Sequence, residues 1–179
     1  PGGSTIFTKE GQTNDGINNI ATSTRTGYYM RKLLREDVNL NPTSLTPQKH
    51  YVARVRYTEL FLAYAEAANE AWGPDGSGEF GFSARDVIAA LRQRAGISQP
   101  DDYLQSIGTT EEMRALIRNE RRLELCFEGF RFWDLRRWKE SISEPAKGMT
   151  ITADDQYLIS NVENRQYQDY MYYGPLPYN

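Results

Sequence analysis

Histidine and cysteine are almost missing from this chain of 179 residues, which has one of each, His50 and Cys126. A single cysteine makes no internal disulfide. One cysteine and one histidine do not supply a structural zinc site either, so neither a bound metal nor a cofactor is expected. The two lie far apart in sequence, and Cys126 stands at helical spacing from apolar neighbours. It therefore reads as a buried structural residue rather than a catalytic thiol. Long apolar runs are lacking too: none approaches the ~18 residues that mark a membrane-crossing helix. The net charge is only -3, which gives no bulk attraction to nucleic acid. The chain starts at Pro1 with no visible signal peptide. It reads as part of a longer protein, with any export signal or lipid anchor outside this stretch.

What is present suits a domain with a real core: 39% hydrophobic residues, and twelve tyrosines among the aromatics. Residues 1–27 are rich in Gly, Ser, Thr and Asn and read as a loop-rich lead-in, with Asp15-Gly16 as a turn signal. Residues 28–179 form the domain proper. Tyr28 to Leu34 is a short apolar run of open type, and Pro42 and Pro47 break the segment that follows. Arg54 to Trp72 has helical periodicity, with Tyr57, Phe61, Tyr64, Ala65 and Ala68 on one face and Leu60, Ala63, Ala67 and Ala71 widening it. Gly73-Pro74 ends it. Ser83 to Ala95 is a second helix, with capping-box spacing between Ser83 and Asp86, an apolar stripe of Ala84, Val87, Ile88, Leu91 and Ala95, and Gly96 at the cap. Together they predict an antiparallel helical hairpin like one tetratricopeptide unit, although no 34-residue repeat recurs in this sequence.

Thr109 and Glu112 have capping-box spacing and open a third helix. Its stripe runs through Met113, Leu116, Ile117, Leu123, Phe127 and Phe130, with Gly129 as a bend or cap. Phe130 to Lys139 continues as a shorter helix. Residues 141–179 lose the helical period and predict irregular chain packed over the helices, with Tyr167, Tyr170, Tyr172, Tyr173 and Tyr178 as anchors. The expected fold is therefore mainly α, with tetratricopeptide-like hairpins and long irregular loops.

The densest chemistry runs from Arg118 to Trp138. Its arginines interleave with acids, which rules out a phosphate-binding stripe. Glu120, Glu124 and Glu128 share a helical face, and paired carboxylates are what glycoside hydrolysis requires. But Arg118, Arg121, Arg122 and Arg131 stand close in sequence, and a neighbouring guanidinium favours an ionised carboxylate, the opposite of what a general acid needs. No catalytic residue is assigned. Phe127, Phe130, Phe132, Trp133 and Trp138 are expected to supply core area, at ~1.5–3 kcal/mol per buried ring.

The pattern Arg-x-Glu-Arg-x-x-Glu-x-x-Phe-Glu-Gly-x-Arg-x-x-Asp-Leu-Arg-Arg-Trp from Arg118 to Trp138 resembles the SusD/RagB family. So do Arg56 to Glu70, built around Ala-Glu-Ala, Leu91-Arg-Gln-Arg-Ala-Gly96, and the Pro-x-Pro tail of Tyr172 to Asn179. The resemblance covers roughly residues 20–179 and implies the C-terminal part of a SusD-like fold. The upstream helical-repeat portion and the lipid anchor would lie before Pro1. It also implies a surface-exposed outer-membrane lipoprotein of Bacteroidetes that binds a glycan or other nutrient without chemistry of its own. Such a protein works with a SusC-like TonB-dependent transporter. The alternatives are a helical interaction scaffold with no small-molecule ligand, and a glycosidase using Glu120, Glu124 or Glu128.

The recognised motifs carry no ligand contacts. Ligand candidates rest on chemistry alone: Trp72 beside a Gly-rich loop, Tyr28 and Tyr29, and Asn14 and Asp15, because sugar faces stack on aromatic rings and hydroxyls bond to amide and carboxylate groups. Asp75 and Asp154-Asp155 are too few acids for a calcium site by themselves.

Overall fold

The computed structural model describes residues 5–174. The chain divides into two compact units, one of residues 51–133 and one joining residues 1–50 to residues 134–179.

The first unit is helical. It contains α1 (Tyr57–Trp72), α2 (Ala84–Arg94), a short α3 (Asp102–Ser106), α4 (Thr110–Glu124) and the start of α5 (Phe130–Arg137). The capping signals read from the sequence define the ends of the elements. Ser83 Oγ accepts from the Asp86 N–H, and the Asp86 carboxylate accepts from the Ser83 N–H at 2.7 Å. Thr109 and Glu112 repeat the arrangement at the start of α4. The backbone N–H groups of Gly108 and Thr109 also hold the Glu112 carboxyl below its ordinary range. Gly73, at φ 76°, closes α1 by donating to Asn69 O. Helix α3 carries no apolar period and goes unseen in the sequence; Asp101 caps it through the Leu104 N–H.

The core of this unit joins Leu62, Ala65 and Ala68 of α1, Val87, Ile88 and Leu91 of α2, and Met113, Leu116 and Ile117 of α4. The buried face of α1 is rotated from the expected one. Thr58, Leu62, Ala65, Ala68 and Asn69 point inward, whereas Tyr57, Phe61, Leu60, Ala63, Ala67 and Ala71 are exposed. A polar residue, Asn69, decides the phase. It is fully buried and its side-chain N–H donates to Thr110 O at 2.9 Å, tying the end of α1 to the start of α4.

The third helix stops at Glu124, short of Gly129. Residues 125–129 turn, with Phe127 at φ 62° and Gly129 at φ 86°. Leu123, still on α4, and Phe127, in the turn, are both exposed, and Leu125 is buried. Of the five aromatics expected to fill the core, only Phe130 packs against it, while Phe127, Phe132 and Trp133 are exposed and Trp138 is half-buried. Cys126 is half-buried rather than buried.

The second unit corrects the reading of residues 141–179 as irregular. An antiparallel hairpin pairs β1 (Ala146–Ile151) with β2 (Tyr157–Glu163), Met149 facing Ile159 and Ile151 facing Tyr157. The turn closes through Thr152 N–H to Gln156 O at 2.9 Å and Asp155 N–H to Thr152 O at 3.0 Å, with Asp155 left-handed at φ 60°. A 3₁₀ turn follows at Asp169–Tyr172. The anchoring role expected of the tyrosines holds in part: Tyr172 donates to Glu140 O at 2.9 Å, whereas Tyr167, Tyr170 and Tyr173 are exposed. Tyr178, the rest of the Pro-x-Pro tail and Gly2-Gly3 lie outside the described residues.

The lead-in segment is laid along β1. Glu10 N–H donates to Ile151 O and Met149 N–H donates to Thr26 O, each at 2.9 Å. Two glycines permit this contact. A Cβ on Gly27 would fall 1.9 Å from Met149 O, and one on Gly148 would fall 3.0 Å from Thr26 O. Lys9 adds an ion pair with Asp155 at 2.7 Å.

Candidate functional site

The carboxylates that first invite an enzymatic reading are held by arginines from distant parts of the chain. Arg56 grips Glu128 through two hydrogen bonds at 2.7 and 2.9 Å and also donates to Glu124 O. Arg92 bridges Asp101 and Glu120, the latter at 2.7 Å, and Arg94 pairs with Glu124 at 2.6 Å. Arg92, Asp101 and Glu120 are all nearly buried. Hydrogen bonds from Arg92 hold the Asp101 carboxyl below its usual range, and the same contacts raise the Arg92 guanidinium. Three of the four motif segments thus lock into one another: Arg56 from the first, Arg92 and Arg94 from the second, and three glutamates from the third. Fork-shaped guanidinium–carboxylate pairs set the register between elements with directional bonds. Their acceptor oxygens are committed to arginine, which is the geometry of a frame.

The second unit contains a cleft of about 280 Å³. Tyr28 and Tyr29 line it, with Met149 and Ile151 of β1 and with Ile6 and Thr8. Its two tyrosines are held differently. The Tyr29 hydroxyl accepts from the Thr24 N–H at 3.1 Å and donates to Asp15 O at 3.3 Å. Among the described residues, the Tyr28 hydroxyl has only the Met149 sulfur as partner, at 3.6 Å. Thioether sulfur is a weak acceptor, and Tyr28 is 59% exposed. No charged side chain lines the cleft among the described residues.

Of the residues predicted as ligand contacts, the structure brings Tyr28, Tyr29 and Asp15 together. Asp15 contributes its backbone carbonyl to Tyr29, and its side chain is occupied by Thr13. Asn14 is exposed beside it in the same lead-in loop. Trp72 belongs to the helical unit, at the end of α1, where the Gly-rich loop folds onto its ring. A Cβ on Gly78 would come within 2.7 Å of the indole, and Phe80 lies 5.8 Å from it. Met149, Ile151, Ile6 and Thr8 were not foreseen. The signal for the first two is the pair of β-favouring runs, Met-Thr-Ile and Tyr-Leu-Ile, flanking Asp154-Asp155.

The helical unit has its own groove, about 450 Å³, between α1 and α2. Tyr57, Phe61, Phe82, Val87 and Leu91 make it apolar, with Arg94 at its edge. Among the described residues no group of His, Cys, Asp and Glu could hold a metal ion, and no helix is long and apolar enough to cross a membrane.

The model of the SusD family matches residues 8–179. The chain belongs to the SusD family. A SusD-like protein of Formosa agariphila is 33% identical over 97 residues, which is 53% of this chain and 19% of that protein. The crystal structure of a SusD-like protein from Bacteroides fragilis NCTC 9343 superposes with a TM-score of 0.52 at 31% identity, covering 66% of this chain and 21% of that one. This SusD-family chain therefore spans about a fifth of the length of these relatives.

Proposed function

We propose that this chain is part of a non-catalytic binding protein that takes a glycan or other nutrient at the outer-membrane surface. It would pass that ligand to a SusC-like TonB-dependent transporter, with a lipid anchor holding the whole protein at the membrane. The observation that carries the reading is the family match over residues 8–179. The cleft beside Tyr28 and Tyr29 supports it, since exposed aromatic rings over an apolar floor suit a sugar face. The binding of Glu120, Glu124 and Glu128 by arginines supports a non-catalytic role.

One observation favours a second reading, a helical scaffold without a small-molecule ligand: the apolar groove between α1 and α2. Titration of the full-length protein with oligosaccharides and peptides, together with affinity purification from the native outer membrane, separates the two. Saturable ligand binding with co-purification of a TonB-dependent transporter is the expected result. Co-purification of other proteins with no ligand bound would favour the scaffold.

A further inference from the structure

We propose that the cleft in the second unit selects an uncharged, hydroxyl-bearing ring such as a neutral pyranoside, with Tyr28 as the stacking platform and Tyr29 as a fixed wall. The inference rests on the nutrient-binding reading and narrows the class of ligand at that site. Four features of the cleft lead to it.

The first is charge. The side chains lining the cleft are Ile6, Thr8, Tyr28, Tyr29, Met149 and Ile151, none of which ionises near neutral pH. The nearby cation, Lys9, is paired with Asp155, and the Asp15 carboxylate accepts from the Thr13 hydroxyl. A sulfate or carboxylate seated here would lose water without gaining a counter-charge, which disfavours it.

The second is the unequal hold on the two rings. Tyr29 uses its hydroxyl as donor and acceptor to backbone groups at both ends of the lead-in loop, Asp15 and Thr24, so the ring is positioned before any ligand arrives. Among the described residues, the Tyr28 hydroxyl has only a weak sulfur acceptor. A ligand hydroxyl is a better acceptor and can take that bond at little loss. One ring is therefore preorganised and the other keeps a hydrogen bond to exchange, which matches a ligand with an apolar face and hydroxyl edges.

The third is the floor. Met149 and Ile151 are apolar and sit on a strand, so their side chains offer a ligand no strong hydrogen-bond acceptor. Thr8 is the one further hydroxyl in the lining. The fourth is that the cleft is built by close backbone approach. Gly27, at φ 80°, brings the loop that carries both tyrosines against Met149 O, where no side chain fits.

The test is calorimetric titration of the full-length protein with neutral gluco-, manno- and xylo-oligosaccharides and with sulfated and uronate-bearing counterparts. Each is run at about 20 mM and about 500 mM NaCl to separate screened from unscreened attraction. Tyr28→Ala, Tyr28→Phe and Tyr28→Trp are compared with wild type; the ring is exposed, so the fold tolerates its replacement. Binding of a neutral oligosaccharide that is indifferent to salt is expected. Tyr28→Ala should weaken it about tenfold or more, Tyr28→Phe about two- to tenfold, and Tyr28→Trp should retain it. Tighter, salt-sensitive binding of the anionic sugars would overturn the inference and leave nutrient binding intact. So would neutral binding that Tyr28→Ala does not change. Failure of both classes to bind would overturn this inference, and the nutrient-binding reading would then fall only if the peptides also failed to bind.

Discussion

At the scale of single residues, Arg92 has the largest structural role. It satisfies Asp101 and Glu120 at once, and all three side chains are nearly out of solvent. Removing one member of such a group leaves buried charge behind, so Arg92→Met should destabilise the protein by about 3–5 kcal/mol in urea unfolding. By contrast, Arg31→Met breaks a pair whose members are 85% and 65% exposed and should fall within about 0.5 kcal/mol of wild type. The Asp101 carboxyl is depressed by Arg92, so its contribution to stability is complete above the unfolded value of about 3.9 and fades as pH falls through the lower folded value. In Arg92→Met the same carboxylate is buried without its counter-charge, and acid relieves it. The gap between variant and wild type should therefore narrow below about pH 4 when unfolding is followed across pH. The sequence shows the glutamates and their helical spacing plainly. It does not show their partners, because Arg56, Arg92 and Arg94 reach them only once α1, α2 and α4 have packed.

At the scale of elements, local signals were legible and phase was not. Both capping boxes can be read from side-chain spacing because they are closed within four residues. Thr109→Ala should lower stability by about 1 kcal/mol in thermal or urea unfolding. The buried face of α1 was misread because periodicity counts apolar residues, and here a buried amide, Asn69, helps set the phase while Tyr57 and Phe61 line a groove. The hairpin was missed for a related reason. β2 is exposed along nearly its whole length, so it lacks the in–out alternation that a half-buried strand writes into a sequence. Its attachment to the lead-in loop makes a sharp prediction. Gly27→Ala places a Cβ 1.9 Å from Met149 O and adds a side chain at φ 80°. It should displace the loop and abolish ligand binding while leaving the helical far-ultraviolet signal in place. Gly129→Ala is the control: φ is 86° but nothing lies within 4 Å, so only a conformational penalty of about 1–2 kcal/mol is expected.

For the whole molecule, most of the motif residues and the tyrosine cleft lie in different units. The motif segments of the first unit are joined by Arg56–Glu128, Arg92–Glu120 and Arg94–Glu124. The tyrosine cleft is in the second, lined by Ile6, Thr8, Tyr28 and Tyr29 together with Met149 and Ile151 of β1. The family was therefore readable from the sequence, since its motifs are contiguous. The cleft was half readable: Tyr28 and Tyr29 stand out as paired aromatics, but their floor comes from residues more than a hundred positions later. The central claim is that the whole protein binds a nutrient and does not transform it. It is tested most directly by titrating the full-length protein with oligosaccharides and analysing the recovered sugar by chromatography. The account predicts saturable binding, with the oligosaccharide returned at its original length. Shortened products that vanish in a Glu124→Gln variant, or the absence of saturable binding to any nutrient offered, would contradict it.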